Sequence, residues 1–415
     1  MTDSTALKDH TATKLALVLP GGGARGAFQV GVLKAIAELL PARSRNPFRI
    51  LSGTSAGAIN SVVLASKAQR FGFAVSELER VWGGFETSMV YRSDALTMLK
   101  SSAHWLAAIV FGGLGVRNPR SLLDNAPLRA LLSRNVRFPR IQSAIDKGFL
   151  DAVAITAAGY RTSRSVTFYQ GIESAQPWAR TRRIGQPAML NLDHLMASIA
   201  VPMIFPPVEI DGEYFGDGAM RQATPLSPAV HLGADRILVI GVRDELADRV
   251  GKEPGPQEFP GFGQIAGYVL DTLFLDGLYS DMERLARLND VLEDIPPHAR
   301  HGLASKMRVI DTMVVLPSVD LTKFAVDFVR EMPRPVRLLL RGIGGSEGRL
   351  LSFLLFESAY TQALIDQGYR DAMRVGDQLT AFVTGQDVPV LQAPDEVAED
   401  LSGIYRVPPM RAGAS

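Results

Sequence analysis

The 415-residue sequence contains no cysteine. That absence excludes disulfides, thiolate metal sites and a cysteine nucleophile, and it suits a reducing compartment. A charge bias is missing too, because 44 basic residues stand against 43 acidic ones. No overall field therefore points to nucleic acid. Residues 1–13 lack the basic region, apolar core and small-residue cleavage site of a secretory signal, and read as a flexible tail. The uncharged stretch at 103–116, AHWLAAIVFGGLGV, is too short for a bilayer span and reads as a buried or interfacial helix. From residue 39 to residue 76 there is no Asp or Glu at all. What remains, 47% apolar and 21% charged, is the composition of an ordinary globular protein with room for a large core.

Residues 48–67, FRILSGTSAGAINSVVLASK, read as a strand, a very tight turn and a helix, with Ser55 at the bend. Gly53, Ser55 and Gly57 form G-x-S-x-G, the nucleophile-elbow pattern, in which small neighbours let strand and helix approach while the serine is held in a strained backbone conformation. Ser55 then stands near a helix N-terminus, whose free N–H groups and dipole favour the charge of an attacked carbonyl. It is a candidate acyl-transfer nucleophile.

Upstream, residues 15–19 read as a buried strand that breaks at Pro20 and at Gly21-Gly22-Gly23-Ala24-Arg25-Gly26. A helical pattern follows, with Ala27, Val30, Leu33, Ile36 and Leu40 on one face. Gly21, Gly23 and Gly26 spell G-x-G-x-x-G, which would suit a dinucleotide fold, but that fold needs a carboxylate about 20 residues on to hold the ribose. The acid-free stretch supplies none. The other use of such a loop is an oxyanion hole, with backbone N–H groups facing the oxygen that gains charge, and Arg25 adds a permanent positive charge. Two loops that follow adjacent strands open at the same carboxyl edge of a sheet.

Together, GGGARG and GTSAG about thirty residues later resemble the patatin-like phospholipase family. Gly216-Asp217-Gly218-Ala219 matches that family's D-G-[GA] motif, approached through residues 196–207, MASIAVPMIFPP, and a hairpin at Asp211-Gly212. Pro20 departs from the family pattern, though it lacks only its own N–H and leaves the donors of Gly22 and Gly23 free. The resemblance runs over residues 14–242. It implies an α/β fold with a mostly parallel central sheet flanked by helices in three layers. It also implies a Ser55–Asp217 catalytic dyad, an oxyanion hole of Gly22 and Gly23 helped by Arg25, and supporting roles for Gly21, Gly26, Gly53, Gly57 and Gly218. The substrate would be an acyl ester of a phospholipid or lysophospholipid. An aspartate of ordinary pKa, near 4, is a weak base at neutral pH, so Asp217 would need desolvation or a tight hydrogen bond to Ser55.

The expected organisation is a tail at 1–13, a catalytic domain at 14–245 and a mostly helical C-terminal region at 246–415. That last region is either part of the same domain or a small second one. Residues 251–263 are the candidate linker. Helical periodicity covers 267–289 and 346–373, with a strand at 313–316 between them. At 329–349 five arginines against two acids interleave with apolar residues, an edge that suits either an anionic membrane surface or a solvated helix rim. The reading implies no metal and no cofactor, no nucleic-acid partner, and a cytoplasmic location with peripheral membrane contact left open. Two alternatives stand beside it. One is a carboxylesterase with a Ser-His-Asp triad, for which His231, His298 and His301 follow in the right order. The other is a non-catalytic lipid-binding protein.

Overall fold

The computed structural model describes residues 13–94, 121–222, 224–242, 261–296, 307–342, 348–386 and 404–407. The stretch at 103–116, most of the candidate linker, nearly all of the tail, His298 and His301 lie outside the described residues.

Eleven strands form one mixed sheet. They are β1 (Leu15–Leu19), β2 (Ile50–Thr54), β3 (Ala152–Gly159), β4 (Ser165–Gly171), β5 (Trp178–Arg180), β6 (Arg183–Pro187), β7 (Val208–Ile210), β8 (Glu213–Asp217), β9 (Arg236–Ile240), β10 (Asp311–Val315) and β11 (Ile404–Val407). The order runs β11-β10-β9-β1-β2-β3-β4-β6-β5, and the hairpin β7-β8 is attached to β3. The five strands at the centre, β10, β9, β1, β2 and β3, are parallel neighbours. Short runs that are apolar at every position suit such strands, because helices cover both faces of the sheet.

Along β1 the side chains alternate between two cores, Leu15, Leu17 and Leu19 in the larger and Ala16 and Val18 in the smaller. The larger core holds α1 (Gly26–Leu39), α2 (Ala56–Ser66) and α3 (Phe71–Gly83). The smaller is covered by the helix Ser227–Leu232 and by Leu278 and Met282 of the long α4 (Phe262–Asp294). Sheet and helices thus make three layers, with helices on both faces of a sheet whose centre is parallel.

Residues beyond 242 supply β10 and β11 to this same sheet. They also change the reading of α1. The sequence pattern gives α1 one buried face, yet Phe28, Val32 and Ala35 are buried as well. The cause is a helix more than 300 residues away, α6 (Ser358–Met373), which packs along the outer side of α1. The two backbones touch: a Cβ on Gly31 would lie 2.0 Å from the carbonyl oxygen of Ile365, and one on Gly368 would lie 2.2 Å from that of Phe28. The helix expected over 346–373 is two helices, α5 (Arg349–Leu354) and α6. The break between them is stitched to residues 83–91, with Thr87 Oγ1 donating to Phe356 O, Ser358 Oγ to Gly83 O and Tyr91 Oη to Leu354 O. In the arginine-rich helix Arg334–Gly342, Val336 and Leu340 turn inward while Arg334, Leu338 and Arg341 face solvent. Among the described residues no helix is long and apolar enough to cross a membrane.

Candidate active site

Strand β3 explains how Ser55 and Asp217, far apart in sequence, come together. On one side β3 pairs with β4 over 152–158. On the other, β2 runs beside it only as far as Thr54, opposite Thr156. The next position of β3, Ala157, pairs with Asp217 at the end of β8. Strands β2 and β8 therefore share one lane and meet end to end, and the chain bends out of that lane at Ser55 on one side and at Asp217 on the other.

The bend at Ser55 has φ 53° and ψ −124°, a left-handed conformation that a residue with a side chain rarely adopts. Such strain is of order 1–3 kcal/mol and persists only where the surroundings enforce it. Here the Ser55 N–H donates to Ser198 Oγ at 2.9 Å, and that hydroxyl donates to Thr156 O at 2.7 Å. The turn also needs Gly57, where a Cβ would lie 2.0 Å from Leu19 O. Beneath it, Gln222 accepts from Thr54 Oγ1 and donates to Thr156 Oγ1, tying the turn after Asp217 to β2 and β3.

Asp217 is 1% exposed. Its Oδ1 accepts from Ala219 N at 2.9 Å, while its buried Oδ2 has no hydrogen-bond partner. Burial pushes its pKa up to about 7, against the smaller, opposite pull of the Ser55 hydroxyl and the Ala219 N–H. The hydroxyl is thus close enough to favour the carboxylate, without a hydrogen bond of ordinary length between them. Desolvation, the first of the two conditions named above for a working base, is met.

The glycine loop closes the third side. Gly23 has φ 55°, and no hydrogen bond among the described residues takes up the N–H of Gly22 or Gly23. A Cβ on Gly26 would lie 2.8 Å from that of Ala56, the residue after Ser55, so the first turns of α1 and α2 meet at this point. A buried network fixes the loop. Gln29 Nε2 donates to Pro20 O (2.9 Å) and Ile240 O (3.2 Å), Asn60 Nδ2 to Gln29 Oε1 (2.9 Å), and Trp82 Nε1 to Asn60 Oδ1 (2.8 Å). Pro20 is thus accommodated through its carbonyl.

Arg25 does not go where the sequence suggested. It is 1% exposed, its Nε and Nη2 donate to Ser352 Oγ at 2.9 and 2.7 Å, Nη2 also reaches Thr322 Oγ1 at 3.3 Å, and the guanidinium lies 4.1 Å from the Phe353 ring centroid. Its charge holds α5 against the loop. Of the described histidines, His231 bonds Ser227 O through Nδ1 at 2.8 Å and stacks on Trp178. His194 receives the Asn191 N–H at Nδ1 in a capping box, and its ring lies 4.6 Å from that of Phe168. Neither meets Asp217 Oδ2. Among the described residues there is no group of three His, Asp or Glu that could hold a metal ion.

From Ser55 and Gly23 a narrow apolar slot of about 50 Å³ opens. Its walls come from the whole chain: Ile59, Trp82, Leu128, Ile204, Leu270 and Phe356 are among them. A serine hydroxyl at the head of a lining this apolar is chemically suited to an ester with an apolar acyl group.

The family described as "Patatin-like phospholipase" matches residues 17–230. Patatin-like phospholipase domain-containing protein 7 of Rattus norvegicus is 40% identical over 80 residues, a match that spans 19% of this chain and 5% of the rat protein. Among solved structures, VipD from Legionella pneumophila aligns over 88% of this chain and 67% of its own, with 13% identity and a TM-score of 0.35.

Proposed function

Since the chain belongs to the patatin-like phospholipase family, we propose that it is a serine acyl hydrolase that cleaves acyl esters of phospholipids or lysophospholipids through a Ser55–Asp217 dyad. The observation that carries this reading is the junction of β2 and β8, where a strained serine meets a buried carboxylate with an unpartnered oxygen and a pKa near neutrality. Asp217 Oδ2 takes the proton of Ser55 Oγ as that oxygen attacks the ester carbonyl. The N–H groups of Gly22 and Gly23 hold the resulting oxyanion. As the tetrahedral intermediate collapses, protonated Asp217 gives its proton to the leaving alcohol. A water molecule, deprotonated by the same carboxylate, then releases the fatty acid from Ser55. Arg25 acts through the loop as a positioning residue.

A fluorophosphonate probe should label Ser55, and Ser55→Ala should lose both labelling and hydrolysis of phospholipids, lysophospholipids and short-chain esters while keeping its melting temperature. Labelling of another serine would refute the assignment. Asp217→Asn should be folded and inactive, because the amide cannot take the serine proton. His231→Ala, His298→Ala and His301→Ala should each keep most of the activity. A folded histidine variant without hydrolysis would favour the triad instead.

A further inference from the structure

α2 links the active site to the opposite pole of the sheet. Ser55 caps its N-terminus, and its eleven residues carry the chain about 16 Å to the other edge. There the end of α2, the first turn of α3, the helix Pro139–Asp146 and the loop after it enclose a cavity of about 390 Å³. Lys67, Arg70, Arg140 and Lys147 line it, and no carboxylate does. In a chain whose charges nearly cancel, that is a local concentration of one sign. Part of it comes from the acid-free stretch 39–76, which the active site uses only as far as its glycines and serine.

Three of these cations, Arg70, Arg140 and Lys147, enter no ion pair among the described residues. The fourth, Lys67, has only 12% of its side chain exposed, and its nearest acid, Glu77 at 3.9 Å, is held closer by Arg80 at 3.2 Å. Burial lowers the Lys67 pKa, Glu77 opposes this, and the positive charges of Arg140 and Arg80 lower it further. Four cations facing one cavity, one of them partly desolvated, repel one another until an anion enters. Two arginines can fork onto paired oxygens and two lysines can supply point charges, the donor set for a phosphate dianion. Phe73, half-exposed with its ring 6.0 Å from Lys67 Nζ, gives the rim an apolar side.

We infer that this cavity is a binding site for a phosphate-bearing ligand, with a phosphomonoester or pyrophosphate group surrounded by Lys67, Arg70, Arg140 and Lys147. The group arrives either on a soluble metabolite or on a lipid headgroup. The site is independent of the ester chemistry at Ser55, so the Ser55→Ala protein should bind as the unaltered protein does.

Inorganic pyrophosphate, titrated at physiological ionic strength with melting temperature and heat of binding as readouts, should protect the protein saturably, whereas chloride at matched ionic strength should not. Lys67→Gln and Arg140→Gln should each weaken binding roughly tenfold or more, the size expected for a lost charge-assisted hydrogen bond. Hydrolysis of a short-chain ester should be unchanged in both. Arg140→Glu removes no buried contact and keeps the test open should Lys67→Gln fold poorly. Flotation with vesicles of non-hydrolysable ether phosphatidylcholine, with and without phosphatidate, separates the two sources. Phosphatidate-dependent flotation lost in Arg140→Glu assigns the headgroup, and pyrophosphate binding without flotation assigns a soluble ligand. Binding that is absent, non-saturable or equal in the variants overturns the site.

Discussion

At the scale of single residues, Asp217 makes the sharpest demands. Its carboxyl titrates near pH 7 in the folded protein and near 3.8 when unfolded, because burial disfavours the charge. As the base must be ionised, kcat/KM on a soluble ester should rise through about pH 7 and level off above it. A plateau extending down to pH 5 would contradict the assignment. Stability runs the other way. Between the two pKa values the folded state holds a proton that the unfolded state has lost, so raising the pH through that window destabilises the fold, by on the order of 4 kcal/mol in total. Asp217→Asn should therefore melt above the unaltered protein at pH 8 and close to it at pH 4, checked by calorimetry at both. Ser55, Asp217 and their flanking glycines were legible because each motif is a local backbone requirement written in consecutive residues. Ser198 and Gln222, which hold the elbow from the end of the helix Leu192–Ser198 and from the turn after Asp217, were not. Ser198 was visible only as part of the approach to Asp217, since a lone hydroxyl or amide carries no sign of the distant group it bonds.

At the scale of elements, sequence patterns marked β1, β2, β10, the β7-β8 hairpin, α1, α2 and α4, but not the short strands β5, β6 and β11, nor which surfaces of those helices would be covered. α1 shows one apolar stripe, and its second buried face depends on α6, whose Gly368 is matched to the α1 backbone only in three dimensions. Arg25 is the same case. A charge beside three glycines reads as a helper of the oxyanion hole until Ser352, Thr322 and Phe353 are in view. The expectation for its removal changes accordingly. Arg25→Ala leaves a cavity and strips the donors from a buried network, and should cost about 2–4 kcal/mol of stability in urea unfolding. Ser352→Ala should cost about 1–2 kcal/mol. In the double variant the two losses should fall short of their sum, because they remove the same contact. Additive losses would show that the pair does not act together. Loss of turnover in Arg25→Ala without loss of stability would return the charge to the oxyanion.

At the scale of the whole molecule, the slot beside Ser55 is built from residues between Gly23 and Phe356, so no single segment sets its shape. Leu270→Trp, which adds bulk to a wall far from the dyad in sequence, should depress hydrolysis of long-chain esters at least tenfold relative to short-chain ones. Equal loss on both would mean that the acyl chain lies elsewhere. The wall was hidden from sequence reading because its members belong to segments that look like ordinary core. The contact of α5 with the glycine loop has a consequence for biosynthesis. Ser55, Asp217 and Gly22–Gly23 have all left the ribosome long before Ser352 and Phe353 are made. Until those residues arrive, Arg25 lacks its anchor and Gly23 lacks the Phe353 carbonyl that packs against it. On the proposed dyad reading, a nascent chain that already carries Ser55, Asp217 and the glycine loop should therefore show no hydrolysis until α5 docks. Ribosome-bound chains stalled before residue 349 should resist fluorophosphonate labelling, and chains released after residue 386 should accept it.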